Sequence, residues 1–139
     1  LAEDPTPPMI LVDTSIWIAH LRKGASALAV HLSGGDVLTH PLIIEELACG
    51  RLSHRNEILG LLEALPAAPA ASHTEVLGLI LGEGLGGSGI GAVDAHLLAS
   101  ARLANVMIWS RDKTLARAAK KLGILAHLTT VLSAPRGDR

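Results

Sequence analysis

The sequence predicts an α/β domain with a small central parallel sheet flanked by helices on both faces. The first observation is a set of short unbroken apolar runs, at 9–12, 37–39 and 106–109. A strand with one wet face alternates apolar with polar residues, whereas a strand buried on both faces has no polar side to show. The second is that helical spacing follows each run, and strands that alternate with helices pair in parallel. The third is size. The 139 residues are 49% hydrophobic, which fills one core and leaves little room for a second domain.

The elements follow in chain order. Residues 1–8 hold three prolines and no apolar period, so they read as a disordered tail, native or added. The domain then runs over 9–130, and 131–139 form a flexible C-terminal tail. The first strand, 9–12, stops at the polar triplet Asp13-Thr14-Ser15. Ile16, Trp17 and Leu21 start a helical period that Gly24 interrupts. Residues 25–32 form another short helix, stopped by Gly34 and Gly35. The second strand, 37–39, precedes a helix that Pro41 opens, Ile43, Ile44, Leu47 and Ala48 carry, and Gly50 ends. Proline suits a first turn, where its missing N–H is not needed, and glycine suits the exit. Ile58, Leu61, Leu62 and Leu65 mark a helix over 54–65, and 66–71 read as a loop or short edge strand. A helix diluted by glycine covers 73–85. The glycine-rich stretch 84–91 connects it to a fresh helix over 93–104. After the third strand, 106–109, a basic, alanine-rich helix runs over 113–122 and stops at Gly123. Residues 124–128 form a last strand.

Phe and Tyr are absent, so Leu, Ile, Val and Ala must fill the core. The formal net charge of −1 argues against a strongly basic nucleic-acid binder. It leaves open a local basic rim, or an acidic site that holds phosphate through a metal ion. The lone cysteine, Cys49, allows no internal disulfide and suits a reducing, cytoplasmic setting. The first apolar run is too short for a signal peptide, and the apolar stretch 76–81 is far below membrane-spanning length. The expectation is a soluble chain with no membrane role.

Four acids stand at chemically meaningful places. Asp13 directly follows the first strand and Asp112 closely follows the third. Ligands of open α/β sheets gather at the carboxyl ends of strands. Glu46 lies on the helix after the second strand, and Asp94 in the first turn after the glycine-rich stretch. Each has a bland alternative. Asp13 and Asp112 are good helix N-caps, Asp94 is favoured in a first turn by the helix dipole, and Glu46 would pass for a solvated helix residue. Clustered carboxylates raise one another's pKa unless a cation is present. A hard divalent ion prefers oxygen ligands, and magnesium takes one or two carboxylates while keeping several waters. Such an ion polarises a phosphoryl oxygen and lowers the pKa of a bound water, which is the chemistry of phosphodiester hydrolysis.

These residues resemble a known family. The run Ile10-Leu11-Val12-Asp13-Thr14-Ser15 is similar to the opening motif of PIN domains, above all the VapC-type toxins of prokaryotic toxin–antitoxin (VapBC) pairs. Glu46-Leu47-Ala48-Cys49-Gly50 resembles their second motif, and Asp94 ahead of Leu97-Leu98-Ala99 the third. Trp109-Ser110-Arg111-Asp112-Lys113 resembles the fourth, with serine where threonine is more usual. Each motif alone is weak; the four in order are a strong signal. The resemblance implies a PIN fold and a Mg2+- or Mn2+-dependent endoribonuclease, with Asp13, Glu46, Asp94 and Asp112 as the acidic residues. Asp13 and Asp94 are then first choices for direct metal ligands. Asp112 binds through water or holds a second ion, and Glu46 orients or deprotonates the attacking water. The resemblance also implies Ser15 or Ser110 as a polar helper, a homodimer, an RNA substrate and inhibition by a cognate antitoxin.

Other residues carry weaker signals. Arg111, Lys113 and Arg51 are candidate phosphate contacts. Arg22 and Lys23 read more simply as solvated surface, and Arg117, Lys120 and Lys121 as an exposed helix face near its C-terminus. Trp17 and Trp109 read as packing rather than base-stacking platforms. The seven histidines show no tight ligand spacing, which disfavours zinc. No glycine-framed serine and no Lys-Ser/Thr ending to the glycine stretch are present, which disfavours a serine hydrolase and a P-loop. Apolar residues on short helices point to a patch for a second copy or an antitoxin helix. The competing readings are a non-toxic PIN-type RNA-processing nuclease, a receiver-like metal module, which Asp13 disfavours by having no acidic neighbour, and an inactive metal- or RNA-binding scaffold.

Overall fold

The computed structural model describes residues 9–23 and 27–127. Both expected tails, the Gly24 break and the end of the expected last strand lie outside the described residues. Three short strands, β1 (Ile10–Val12), β2 (Val37–Leu38) and β3 (Met107–Trp109), form a parallel sheet in the order β2-β1-β3. Ile10 pairs with Val37 and Leu11 with Leu38 on one side; Ile10, Leu11 and Val12 pair with Met107, Ile108 and Trp109 on the other. β1 is therefore central, and its residues are buried throughout, which is why the run is unbroken.

Single bridges extend the sheet at both edges, Thr39 with Ala67 and Ile108 with Leu125. The expected edge strand in 66–71 and last strand in 124–128 are each reduced to that one bridge. At the first edge Pro66 and Pro69 remove the donors a longer ladder needs. From β1 the chain builds outward through β2 to residue 67. It then crosses back to build β3 and residue 125 on the far side. The order thus reverses between β1 and β3, the place where the strand ends of an open α/β sheet leave a crevice.

Seven helices complete the described residues: α1 (Thr14–Lys23), α2 (Ala27–Gly34), α3 (Pro41–Cys49), α4 (Arg55–Ala64), α5 (His73–Gly82), α6 (Ala92–Ala104) and α7 (Lys113–Lys121). α1 packs on α2 and α3, α3 on α4, α5 on α6, and both α6 and α7 on β3. Ser72 and Glu75 form a capping box that starts α5. That helix ends at Gly82 rather than at 85, because Gly84 takes a left-handed φ of 66° that a continuing helix forbids. The main core joins Leu11, Val12, Trp17, Ile43, Leu98 and Leu115. A satellite core of Ala71, Val76, Ala95 and Ala99 lies beside α5 and α6, where small residues let two helices approach closely. Trp17 and Trp109 are both buried, so they pack and offer no face to a base. Among the described residues no helix is long and apolar enough to cross a membrane.

Candidate active site

The ladder between β1 and β3 continues one residue past β1. The Asp13 N–H donates to Trp109 O at 3.0 Å, which fixes Asp13 beside the end of β3. Its carbonyl then accepts from Ile16 and Trp17 and opens α1. The side chain is turned inward, leaving the residue 5% exposed. Its Oδ2 accepts three hydrogen bonds: from the Ser15 N–H at 3.2 Å, the Ser15 hydroxyl at 2.7 Å and the Ser110 hydroxyl at 2.8 Å. Each hydroxyl has one proton, and both go to Asp13. The Ser15 and Ser110 oxygens are then free to accept, Ser15 Oγ from the Arg111 N–H and Ser110 Oγ from the Asp112 N–H, each at 2.9 Å. Two serines thus stitch the end of β1 to the turn that follows β3.

Asp112 does what its bland alternative required. Its Oδ1 accepts from the Thr114 and Leu115 N–H groups and caps α7. The cap uses Oδ1, and the residue is exposed, so capping and a share in the acidic cluster are compatible. Glu46 projects from α3, also exposed. Its Oε1 accepts from the Thr14 hydroxyl at 2.6 Å, a contact that no spacing rule foretold. Asp94 stands in the first turn of α6. Burial first, and then the charges of Asp13, Asp112 and Glu46, push its pKa up to about 6. Three other carboxylates, each on a different segment, thus act on Asp94 through their charge.

His40 ties two of those segments together. The Leu42 N–H donates to His40 Nδ1 at 3.0 Å and so caps α3. That leaves the ring proton on Nε2, which donates to Ser100 Oγ on α6 at 3.0 Å. Burial, with a contribution from His96, holds His40 below its usual pKa, which keeps Nδ1 available as an acceptor. Sequence reading missed this bolt because histidine is an uncommon N-cap. Arg111 and Lys113 flank Asp112 and are exposed, while Arg51 lies across a groove that also receives Glu46.

The donor set is all carboxylate, which suits a hard divalent cation and not zinc. Among the described residues no three acidic, histidine or cysteine side chains already stand within holding distance of one ion. An ion that takes one or two carboxylates and fills its other positions with water fits this arrangement; a closed protein cage does not.

The profile of the PIN domain family matches residues 10–121. Ribonuclease VapC32 of Mycobacterium tuberculosis, strains CDC 1551 / Oshkosh and ATCC 25618 / H37Rv, is 45% identical over 117 residues. The match covers 84% of this chain and 94% of that protein. Among solved structures, the crystal structure of PAE2754 from Pyrobaculum aerophilum superposes with a TM-score of 0.61. It covers 91% of this chain and 94% of the other at 17% identity, a likeness of fold alone.

Proposed function

The chain belongs to the PIN-domain family, and from that premise we propose that it is a divalent-cation-dependent endoribonuclease acting as the toxin of a toxin–antitoxin pair. The hydrogen-bonded chain Asp13–Ser110–Asp112 at the carboxyl end of β1, within reach of whose charges Asp94 stands, carries this reading. Carboxylates that repel one another gain from a shared cation, and their chemistry fits phosphodiester hydrolysis. Asp13 and Asp94 would hold the cation, with Asp112 acting through water or on a second ion. When bound, Mg2+ or Mn2+ supplies polarisation of a phosphoryl oxygen and acidification of a bound water.

The chain's own residues do the positioning. Ser15 and Ser110 fix the Asp13 carboxylate, so its free oxygen has one orientation. Thr14 holds Glu46 by one oxygen and leaves the other to orient the attacking water and take its proton. Arg111, Lys113 and Arg51 contact phosphates of the substrate. A groove of about 870 Å³ between α1, α3 and α4, lined in part by Ile18, Leu21, Leu52 and Ile58 beside Glu46, suits an antitoxin segment. Exposed Leu77, Leu81 and Leu103 suit a second copy of the chain, and the setting is the cytoplasm.

The test is cleavage of total cellular RNA by pure protein with Mg2+, with Mn2+ and with chelator, beside Asp13→Asn and Asp94→Asn. Cleavage that needs the cation and disappears in both variants supports the reading. Equal activity in wild type and variants would assign the cleavage to a contaminant, and an inert wild type would favour a binding scaffold.

A further inference from the structure

The stretch from Arg111 to the end of α7 carries charge that the fold does not require. Of the 12 Lys and Arg residues in the chain, five lie here: Arg111, Lys113, Arg117, Lys120 and Lys121, with Asp112 as the sole acid. At about 100° per residue, Lys113, Arg117 and Lys120 fall within about 60° of one another on a single helix face. The buried residues Leu115, Ala118 and Ala119 lie opposite. Lys121 is used structurally, donating to Glu83 O at 2.7 Å. Arg111, Lys113, Arg117 and Lys120 are exposed. Ion pairs among the described residues join His31 to Asp36, His54 to Glu57 and Arg102 to Glu83, so none of these four has an acidic partner there.

Helix stability explains only part of this pattern. Cations near a helix C-terminus are favourable, which accounts for Lys120 and Lys121. Lys113 is the first residue of α7 and Arg111 immediately precedes its cap. Positive charge there opposes the macrodipole. Charge placed against a local rule, beside an acidic site, is expected where function overrides stability.

We propose that the exposed face of α7 is a docking surface for the phosphate backbone of RNA, led by Lys113, Arg117 and Lys120 and continuous with the acidic cluster through Arg111 and Asp112. The inference rests on the ribonuclease reading for the identity of the polyanion. From Lys113 to Lys120 the helix rises about 10 Å, which at 3.4 Å per nucleotide of a helical strand spans about three nucleotides. The face also explains how a chain of net charge −1 handles a polyanion: five of its 12 cations stand within eleven residues beside the candidate site. Arg117 and Lys120, which the sequence alone assigns to solvent, become substrate contacts.

The test pairs binding of a labelled single-stranded RNA of mixed sequence, read by anisotropy across salt concentrations, with steady-state cleavage of RNA by the full chain. The double variant Arg117→Gln/Lys120→Gln is expected to bind about tenfold more weakly near physiological salt. Its slope of log affinity against log salt should be shallower by about 1.4, two phosphate contacts at about 0.7 each. In cleavage the loss should fall on KM and not on kcat. The charge-conserving pair Arg117→Lys/Lys120→Arg should restore both, and Arg102→Gln, which removes a cation on α6, should leave the slope unchanged. Unaltered affinity and slope in the double variant would overturn the proposal, as would failure of the conservative pair to rescue. A wild type that binds RNA through α7 but cleaves none would sink the nuclease reading while leaving this surface standing.

Discussion

Asp13 and Asp94 are two candidate site carboxylates with contrasting neighbours. Asp13 is met by three donors on a single oxygen, two of them serine hydroxyls from different segments. Asp94 is partly buried and meets the charges of three other carboxylates, which with burial push its pKa up to about 6. The strand-end half of the site is complete as folded. At the α6 half, burial and like charge favour a protonated carboxyl or a nearby cation. The two halves would serve a cation differently: one offers a carboxylate already oriented, the other a carboxylate whose ionised form gains from the ion's arrival.

The largest expected effect breaks this comparison if it fails. Asp13→Asn and Asp94→Asn should each lower RNA cleavage by on the order of a thousandfold, since each removes charge that acts on the reacting centre. Their stabilities should move in opposite directions in chelator. Asp94→Asn removes repulsion and should raise Tm, whereas Asp13→Asn leaves a serine hydroxyl with a poorer acceptor and should cost about 1 kcal/mol. Thermal melts that shift the same way would show that the two aspartates are not in contrasting environments.

Ser110→Ala comes next. It removes a donor to Asp13 and the acceptor for the Asp112 N–H, and should lower cleavage by about 10- to 100-fold, the usual range for groups that orient metal ligands. Ser110→Thr keeps the hydroxyl and should recover most of the loss in the same assay.

A pH effect follows from Asp94. A carboxyl whose folded pKa is raised destabilises the fold once it ionises, and the penalty disappears as pH falls through about 6 towards its ordinary value of 3.8. Denaturant melts in chelator should therefore show this contribution improving between pH 7.5 and pH 5. A divalent cation should stabilise more at pH 7.5 than at pH 5, where protons compete for Asp94. The smallest effect is expected for Thr14→Val, which frees Glu46 from one hydrogen bond. A severalfold loss in kcat, with melting little changed, would support a positioning role for Thr14.

What the sequence disclosed follows from how local each cause is. β1 was legible because a central parallel strand must be apolar on both faces, and Asp112 was legible as a cap because its partners are two and three residues away. The four candidate acids, Asp13, Glu46, Asp94 and Asp112, were singled out by their places beside strands and helix starts and by their resemblance to PIN-domain motifs. Their mutual repulsion was legible only as a condition, because convergence depends on where α3 and α6 pack. The Thr14–Glu46 and His40–Ser100 contacts span 32 and 60 residues, and no periodicity encodes such pairs. The strand expected over 124–128 is one bridge at Leu125, since an apolar run tells of burial and not of how many ladder bonds form.

The most direct test of the central claim is calorimetric titration of Mn2+ into metal-free protein near pH 6, repeated in buffers of different ionisation enthalpy and with Asp94→Asn. Wild type is expected to bind the ion and release a fraction of a proton, because Asp94, with a pKa raised to about 6, is partly protonated before the ion arrives. Asp94→Asn is expected to bind more weakly and release none. A wild type that takes up no divalent ion, or a variant that binds equally well with the same proton release, would contradict that claim.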